Sequence, residues 1–362
     1  MSRIRTAVVG AGHLGKIHTR ILKTLPEFEL AVVIDPSEAA RAAAAEQFGA
    51  TTSAEHRPWL DKVDAVVIAS PTTFHHAVTR DFLEAGVHAF VEKPLTASVA
   101  EAEELVECAM LRRRTLQVGH VERFNPAYRA ALPHIAGPRY VECLRESPFA
   151  FRSTDIGAVL DLMIHDIDLT LSVVPSRVIH VEATSRSLLG RHEDIVHVRL
   201  KFDDGCTAVL NASRVRHGSV RHMKIEAEQA LADIDLNAKT TTITHFDPRL
   251  TSGQVNVEAM DTPAKQALKA ALATEFLRQE SLAVESCDAI TAELQDFAQA
   301  ITTGRRPTVS GLDGLEAVRV ADRILEALKQ DVERPTREPR PTILRGPHWP
   351  KPAVADGLRE AG

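Results

Sequence analysis

The apolar run Ile4 to Val9 ends in Gly10-Ala11-Gly12-His13-Leu14-Gly15, and a helical pattern begins at Lys16 and continues to Leu25, with Ile17, Ile21 and Leu22 on one stripe. A strand that reverses into a helix through so short a glycine turn leaves few folds open. Gly10 permits the tight turn, Gly12 lets an anionic group approach the backbone, and Gly15 allows close packing of helix on strand. A second strand, Leu30 to Ile34, places Asp35 at its end, 20 residues beyond Gly15. The glycine spacing alone is a weak signal. With a strand before it, a helix after it and an acid at that distance, it specifies a dinucleotide site. Asp35 can accept hydrogen bonds from a ribose and its charge repels a 2′-phosphate. Pro36-Ser37 offers no arginine in compensation, so NAD is expected over NADP. The competing reading is a glycine turn with a capping aspartate and no nucleotide.

The alternation continues. Glu38 to Gln47, His75 to Glu84 and Ser98 to Arg113 read as helices, while Ala65 to Ala69, Val87 to Val91 and Leu116 to Val118 read as strands. This pattern predicts a doubly wound parallel sheet of Rossmann type over residues 1–120. Beyond it, Arg139 to Arg145, Val178 to Ser185, Ile195 to Phe202, Thr207 to Ser213, Met223 to Glu228 and Thr240 to His245 follow one another as strands without helices between them. They predict an open, mostly antiparallel sheet in an α+β domain over residues 121–330, closed by helices at Ala292 to Thr302 and Gly314 to Leu328. Residues 331–362 carry six prolines and no periodicity, the pattern of an extended tail.

At 362 residues, with 44% hydrophobic and 25% charged side chains, the chain has the length and composition of a globular protein of about two domains. A net charge of -6 gives no long-range attraction to nucleic acid or anionic lipid. The first strand follows Met1 too closely for a signal peptide, and no apolar stretch reaches the ~20 residues of a membrane span. Cys108, Cys143, Cys206 and Cys287 lie far apart without CxxC spacing, so free thiols and a cytoplasmic location are expected.

Two sequence features carry chemistry. Glu92-Lys93-Pro94 follows a buried-looking strand and places an amine at a strand end, where an open α/β sheet faces its ligand crevice. A partly desolvated lysine there can exchange protons near neutrality; otherwise Lys93 is a surface lysine in an extended pre-proline conformation. Asp161, His165 and Asp168 lie on one face of an amphipathic helix expected from about Asp155 to Leu171. A carboxylate beside an imidazole fixes its orientation, and the imidazole can take a proton; the plainer alternative is a solvated acidic face. His165-Asp166 lacks the companion ligands of a metal centre, and no metal is expected. Ser70 and Thr72, at the end of the third strand, and His75, opening the next helix, are candidate cofactor contacts, together with His13 and Leu14 in the turn and Glu92 beside Lys93. Arg214, Arg216 and Arg221 cluster between two strands, as solvated turn arginines or as a phosphate clamp on the substrate.

In this order, Gly10-x-Gly12-x-x-Gly15, Glu92-Lys93-Pro94, Gly119-His120-Val121-Glu122-Arg123-Phe124-Asn125-Pro126 and Asp161-x-x-x-His165 resemble the Gfo/Idh/MocA oxidoreductases over about residues 1 to 330. The resemblance implies an NAD-dependent dehydrogenase with Lys93, Asp161 and His165 in the catalytic positions. It implies Arg123 and Asn125 lining the joint between cofactor and substrate, and association as a homodimer or homotetramer through the second sheet. His165 is then the general acid/base, Lys93 the polariser or relay and Asp161 the orienter of His165 and of the substrate hydroxyl, with the roles of Lys93 and His165 open to exchange. The Asp161 helix is similar to that of inositol dehydrogenases. The Val118 to Pro126 segment and the Ala212 to Val215 turn are closer to nucleotide-sugar members, such as UDP-N-acetylglucosamine 3-dehydrogenases of lipid A precursor synthesis. The sequence thus points to a nucleotide-sugar substrate bound in part by Arg214. Inositol or a free sugar is the alternative, and a non-catalytic NAD(H)-binding sensor the alternative of another class.

Overall fold

The computed structural model describes residues 3–151, 156–284 and 287–332. The proline-rich tail lies outside them from residue 333 onward. Strands β1 (Ile4–Val9), β2 (Phe28–Ile34), β3 (Thr52–Ser53), β4 (Ala65–Ile68), β5 (His88–Glu92) and β6 (Leu116–Gly119) form a parallel sheet in the order β3-β2-β1-β4-β5-β6. All four residues of β4 are buried because helices cover both faces, which is why it reads as an unbroken apolar run rather than an alternation. The strand order reverses between β1 and β4. Crossovers therefore leave in opposite directions there, opening a crevice at the carboxyl ends of β1, β4 and β5.

The second sheet contains β7 (Pro138–Glu146), β8 (Val178–Arg186), β9 (Ile195–Phe202), β10 (Thr207–Ser213), β11 (Val220–Ala227), β12 (Ala230–Asp235), β13 (Thr240–Phe246) and β14 (Leu277–Ser281), ordered β14-β13-β12-β11-β7-β10-β9-β8. It is antiparallel except for the β7–β10 pair. Alternate residues of β9 are buried and exposed, so one face packs on helices and the other stays open. β12 and β14 escape the sequence pattern: alanines at 230 and 232 give a weak apolar signal, and β14 is an edge strand with almost every residue exposed.

The last two helices differ from expectation. Ala289–Thr303 does not close the second sheet; its Leu294, Phe297 and Ala298 bury with Val8, Phe28 and Phe90 of the first, where the Phe297 ring meets Phe90 edge-on at 5.9 Å. An apolar stripe identifies a buried face without naming what covers it. Gly311–Val332 serves both halves, burying Leu315 and Val318 in the first core and Ala317, Val320, Ala321, Ile324 and Leu328 in the second. Just before it, the carbonyl of Val309 accepts a 3.1 Å bond from the Val118 amide, so the returning chain covers the edge of β6. The two sheets are thereby locked around one cleft. Among the described residues no helix is long and apolar enough to cross a membrane.

Candidate active site

The cleft holds about 930 Å³ and is lined from one side by Gly10, Gly12, His13, Leu14, Asp35, Ser70 and Lys93, and from the other by Asp161, Leu162, His165, Arg214 and Arg221. Its first wall follows from the glycine turn. Gly10 has φ +97°, and a Cβ there would sit 2.6 Å from the Ala69 carbonyl oxygen; a Cβ on Gly15 would sit 1.8 Å from the carbonyl oxygen of Gly10. Asp35 fastens the turn to β2, accepting 2.8 Å bonds from the Ala11 and Ser37 amides. Gly15→Ala is therefore expected to weaken NADH binding at least about tenfold, because the turn must open to admit the methyl group. A fluorescence titration of the folded variant checks it.

The second wall departs from the single helix face read in the sequence. Residues 152–155, where that helix was expected to begin, lie outside the described residues. Val159–Met163 is one wide π-helical turn that continues into the α-helix Ile164–Val173, a local distortion common at functional sites. The Glu193 carboxylate accepts a 3.1 Å bond from the Val159 amide, and Gly157 is what leaves room for it: a Cβ there would lie 2.0 Å from Glu193 Oε1. Asp161 and His165 face the cleft, whereas Asp168 is buried on the far side, accepting from Arg123 Nε at 3.0 Å.

Lys93 reaches across from the end of β5 and donates a 2.7 Å hydrogen bond to the backbone carbonyl of Asp161, with Asp161 Oδ1 at 3.8 Å from its Nζ. The carboxylate thus belongs to the lysine rather than to His165, the partner expected from sequence. Burial pushes the Lys93 ammonium below its ordinary value, more than Asp161 and Glu92 restore. Burial also holds His165 well below its usual range, reinforced by the charges of Lys93 and Arg145, so its ring is neutral near pH 7. Two groups able to exchange a proton and one carboxylate converge within reach of the glycine turn.

Not every expected contact is here. His75 is buried away from the cleft, its ring nitrogens 2.9 Å from the carbonyl oxygens of Pro94 and Ser70, where it ties the end of β4 to the segment after Lys93. Glu92 is buried against His18 Nε2 at 2.6 Å, and Thr72 lies in the short helix Thr72–Phe74 without lining the cleft. Arg123 pairs with Asp168 and lies 3.6 Å from Asp313, in a separate ionic crevice. Asn125 caps the helix Pro126–Ala131, accepting from the Ala127 amide and donating to the Leu236 carbonyl.

A model of the oxidoreductase family with an NAD-binding Rossmann fold matches residues 4–120, and a model of the GFO/IDH/MocA C-terminal domain matches residues 127–231. UDP-N-acetylglucosamine 3-dehydrogenase of Acidithiobacillus ferrooxidans is 31% identical over 335 residues, covering 92% of this chain and 100% of that protein. The chain belongs to the GFO/IDH/MocA oxidoreductase family. A solved structure of that dehydrogenase superposes with a TM-score of 0.79 at 30% identity, covering 91% of this chain and 99% of its own. The scyllo-inositol 2-dehydrogenase (NAD(+)) of Bacillus subtilis is 29% identical over 231 residues, covering 59% of this chain and 68% of that protein. As a member of the family, the chain is an NAD-dependent oxidoreductase acting on CH–OH groups.

NAD fits the first wall. The helix His13–Thr24 starts at Gly12 with no side-chain cap and no acid in its first turn, leaving its amides and positive dipole end for a pyrophosphate. Asp35 stands at the cleft for the adenosine ribose. What sequence reasoning missed is the support behind His165. Arg145, only 2% exposed, donates to both Asp166 oxygens from Nε at 3.0 and 3.1 Å, from Nη2 at 2.7 Å, and from Nη1 to Glu122 at 3.0 Å. Burial opposes this guanidinium's charge, but Asp166 and Glu122 outweigh it and hold it protonated. A charged residue in register with the buried Val141 and Cys143, near the end of an alternating strand, was the available signal.

Proposed function

We propose that the chain oxidises a secondary ring hydroxyl of a nucleotide sugar, with UDP-N-acetylglucosamine as substrate and position 3 as the site of oxidation. Residues 1–120 serve the cofactor and residues 121–330 the substrate, and copies associate as a dimer or tetramer through the open face of the second sheet. The observation that carries the reading is the meeting of Lys93, Asp161 and His165 opposite the glycine turn, in a chain that matches a named dehydrogenase along that protein's whole length.

Bound NAD supplies the hydride acceptor. The residues must take the hydroxyl proton as the C–H bond breaks and stabilise the charge that develops on oxygen. His165, kept neutral by burial and by its cationic neighbours, accepts the proton. Lys93, positioned by the carbonyl and carboxylate of Asp161, polarises the oxygen. On this assignment kcat/KM is level around neutrality and falls as pH rises through the depressed Lys93 pKa, because the lysine acts in its charged form. A rising limb over the same range, measured in the oxidative direction, exchanges the two roles.

Incubation with UDP-N-acetylglucosamine and NAD should produce NADH absorbance that disappears in His165→Asn, with an aminotransferase and amino donor added to draw off the ketone. Turnover of inositol or free sugars, with none across a panel of nucleotide sugars, rejects the reading. The match to the inositol dehydrogenase of Bacillus subtilis makes the polyol the second candidate.

A further inference from the structure

Resting on the nucleotide-sugar reading, we infer that Arg221 is the residue that recognises the substrate's diphosphate and so separates nucleotide sugars from free polyols. The argument is a pairing of cations with carboxylates around the cleft. Arg214, which the sequence favoured for this task, is already engaged: its Nε donates to Asp194 at 2.8 Å, its Nη1 to the Ile156 carbonyl at 2.8 Å, and its guanidinium lies over Phe149 at 5.1 Å from the ring centre. Its side chain is only 7% exposed. Arg216 pairs with Glu146 at 3.0 Å. Lys93 has Asp161, and Arg145 has Asp166 and Glu122.

Arg221 remains. Its side chain is 51% exposed on the cleft wall, and the one side-chain bond it makes among the described residues, Nη1 to Glu122 Oε1 at 3.3 Å, goes to an oxygen that Arg145 already holds at 3.0 Å. Four of its five N–H donors are left for a ligand, in the fork geometry that suits phosphate. It stands on the same cleft as Lys93 and His165, and its charge is felt at both. A diphosphate at Arg221 therefore lies within one ligand's reach of the reacting groups. Phe149 lines the same cleft and gives the nucleoside an apolar surface.

UDP tests the assignment without turnover. Its dissociation constant for the NADH-loaded enzyme is measured by calorimetry for the unmodified chain, Arg221→Ala and Arg221→Lys, with the NADH constant measured alongside. The expected result is weakening of UDP binding by about 10- to 100-fold in Arg221→Ala, partial retention in Arg221→Lys, and unchanged NADH affinity in both. Equal UDP binding by all three proteins overturns the role of Arg221 and leaves the nucleotide-sugar reading intact. Loss of NADH affinity in Arg221→Ala gives the arginine to the dinucleotide and overturns the proposal. Failure of the unmodified, NADH-loaded enzyme to bind UDP sinks the nucleotide-sugar reading itself, and the assignment with it.

Discussion

Lys93→Met is expected to lower kcat/KM by about 10²- to 10⁴-fold, the usual contribution of a positioned proton-handling group, while the protein keeps its fold and binds NADH. Methionine preserves the length and apolar body of the side chain and deletes only the ammonium group. That group is largely buried, at 16% side-chain exposure, so its removal also relieves a desolvation cost. Asp161 is left without its lysine but remains one-quarter exposed, and water can solvate it. Stability should therefore change little, and a thermal melt separates loss of chemistry from loss of structure. Lys93→Arg should not restore activity, because a planar fork cannot reproduce a compact ammonium at the Asp161 carbonyl. A variant retaining more than a tenth of the original kcat/KM with the same substrate excludes Lys93 from the reacting set.

The first wall of the cleft was legible because its chemistry is written in backbone terms. Gly10 and Gly15 are required by local sterics, Gly12 leaves open space at the start of the helix, and Asp35 follows at a fixed distance, so a short window of sequence carries most of the wall. The second wall depends on contacts that no local period encodes. A regular helix places residues at i and i+4 together, yet the π turn at Val159–Met163 directs Asp161 toward Lys93, and Asp168 leaves the face altogether to meet Arg123. The family resemblance points to Arg123 and Asn125 and the turn cluster to Arg214, yet each is spent on a protein partner: Asp168, the Leu236 carbonyl and Asp194. Polar side chains near a site are legible in sequence, but whether their hydrogen-bonding capacity remains free is a tertiary property. The helix Ala289–Thr303 shows the same division at the level of packing, since its stripe announced burial and only the fold chose the first sheet as its cover.

Arg145→Met is expected to cost about 3–5 kcal/mol of folding stability near neutral pH, read from urea unfolding of the apoprotein. The loss does not measure the worth of the ion pair, which is offset by the desolvation of three buried charged groups. It arises because Asp166 loses all three of its charge-assisted hydrogen bonds from Arg145, while Glu122 loses one and keeps the neutral donor Asn125 Nδ2 at 3.0 Å and the longer contact to Arg221. Asp166, buried and without its counter-ion, favours the protonated form, so in the variant its folded-state pKa, already held above the ordinary value by burial, rises further above the unfolded one. The sign follows: the contribution of Asp166 to stability is fully present below the unfolded carboxylate pKa and is lost as pH rises through the folded value. The deficit of Arg145→Met should accordingly shrink between about pH 7 and pH 5, opposite to the ordinary loss of stability toward acid. Adding Asp166→Asn, which removes one orphaned charge, should recover part of the stability at pH 7. Activity should not return with it, because Asp166 directly follows His165 in the helix and the Arg145 clamp holds that turn against β7. A deficit that is independent of pH assigns the cost of Arg145→Met to lost packing of the arginine stem and rejects the electrostatic account.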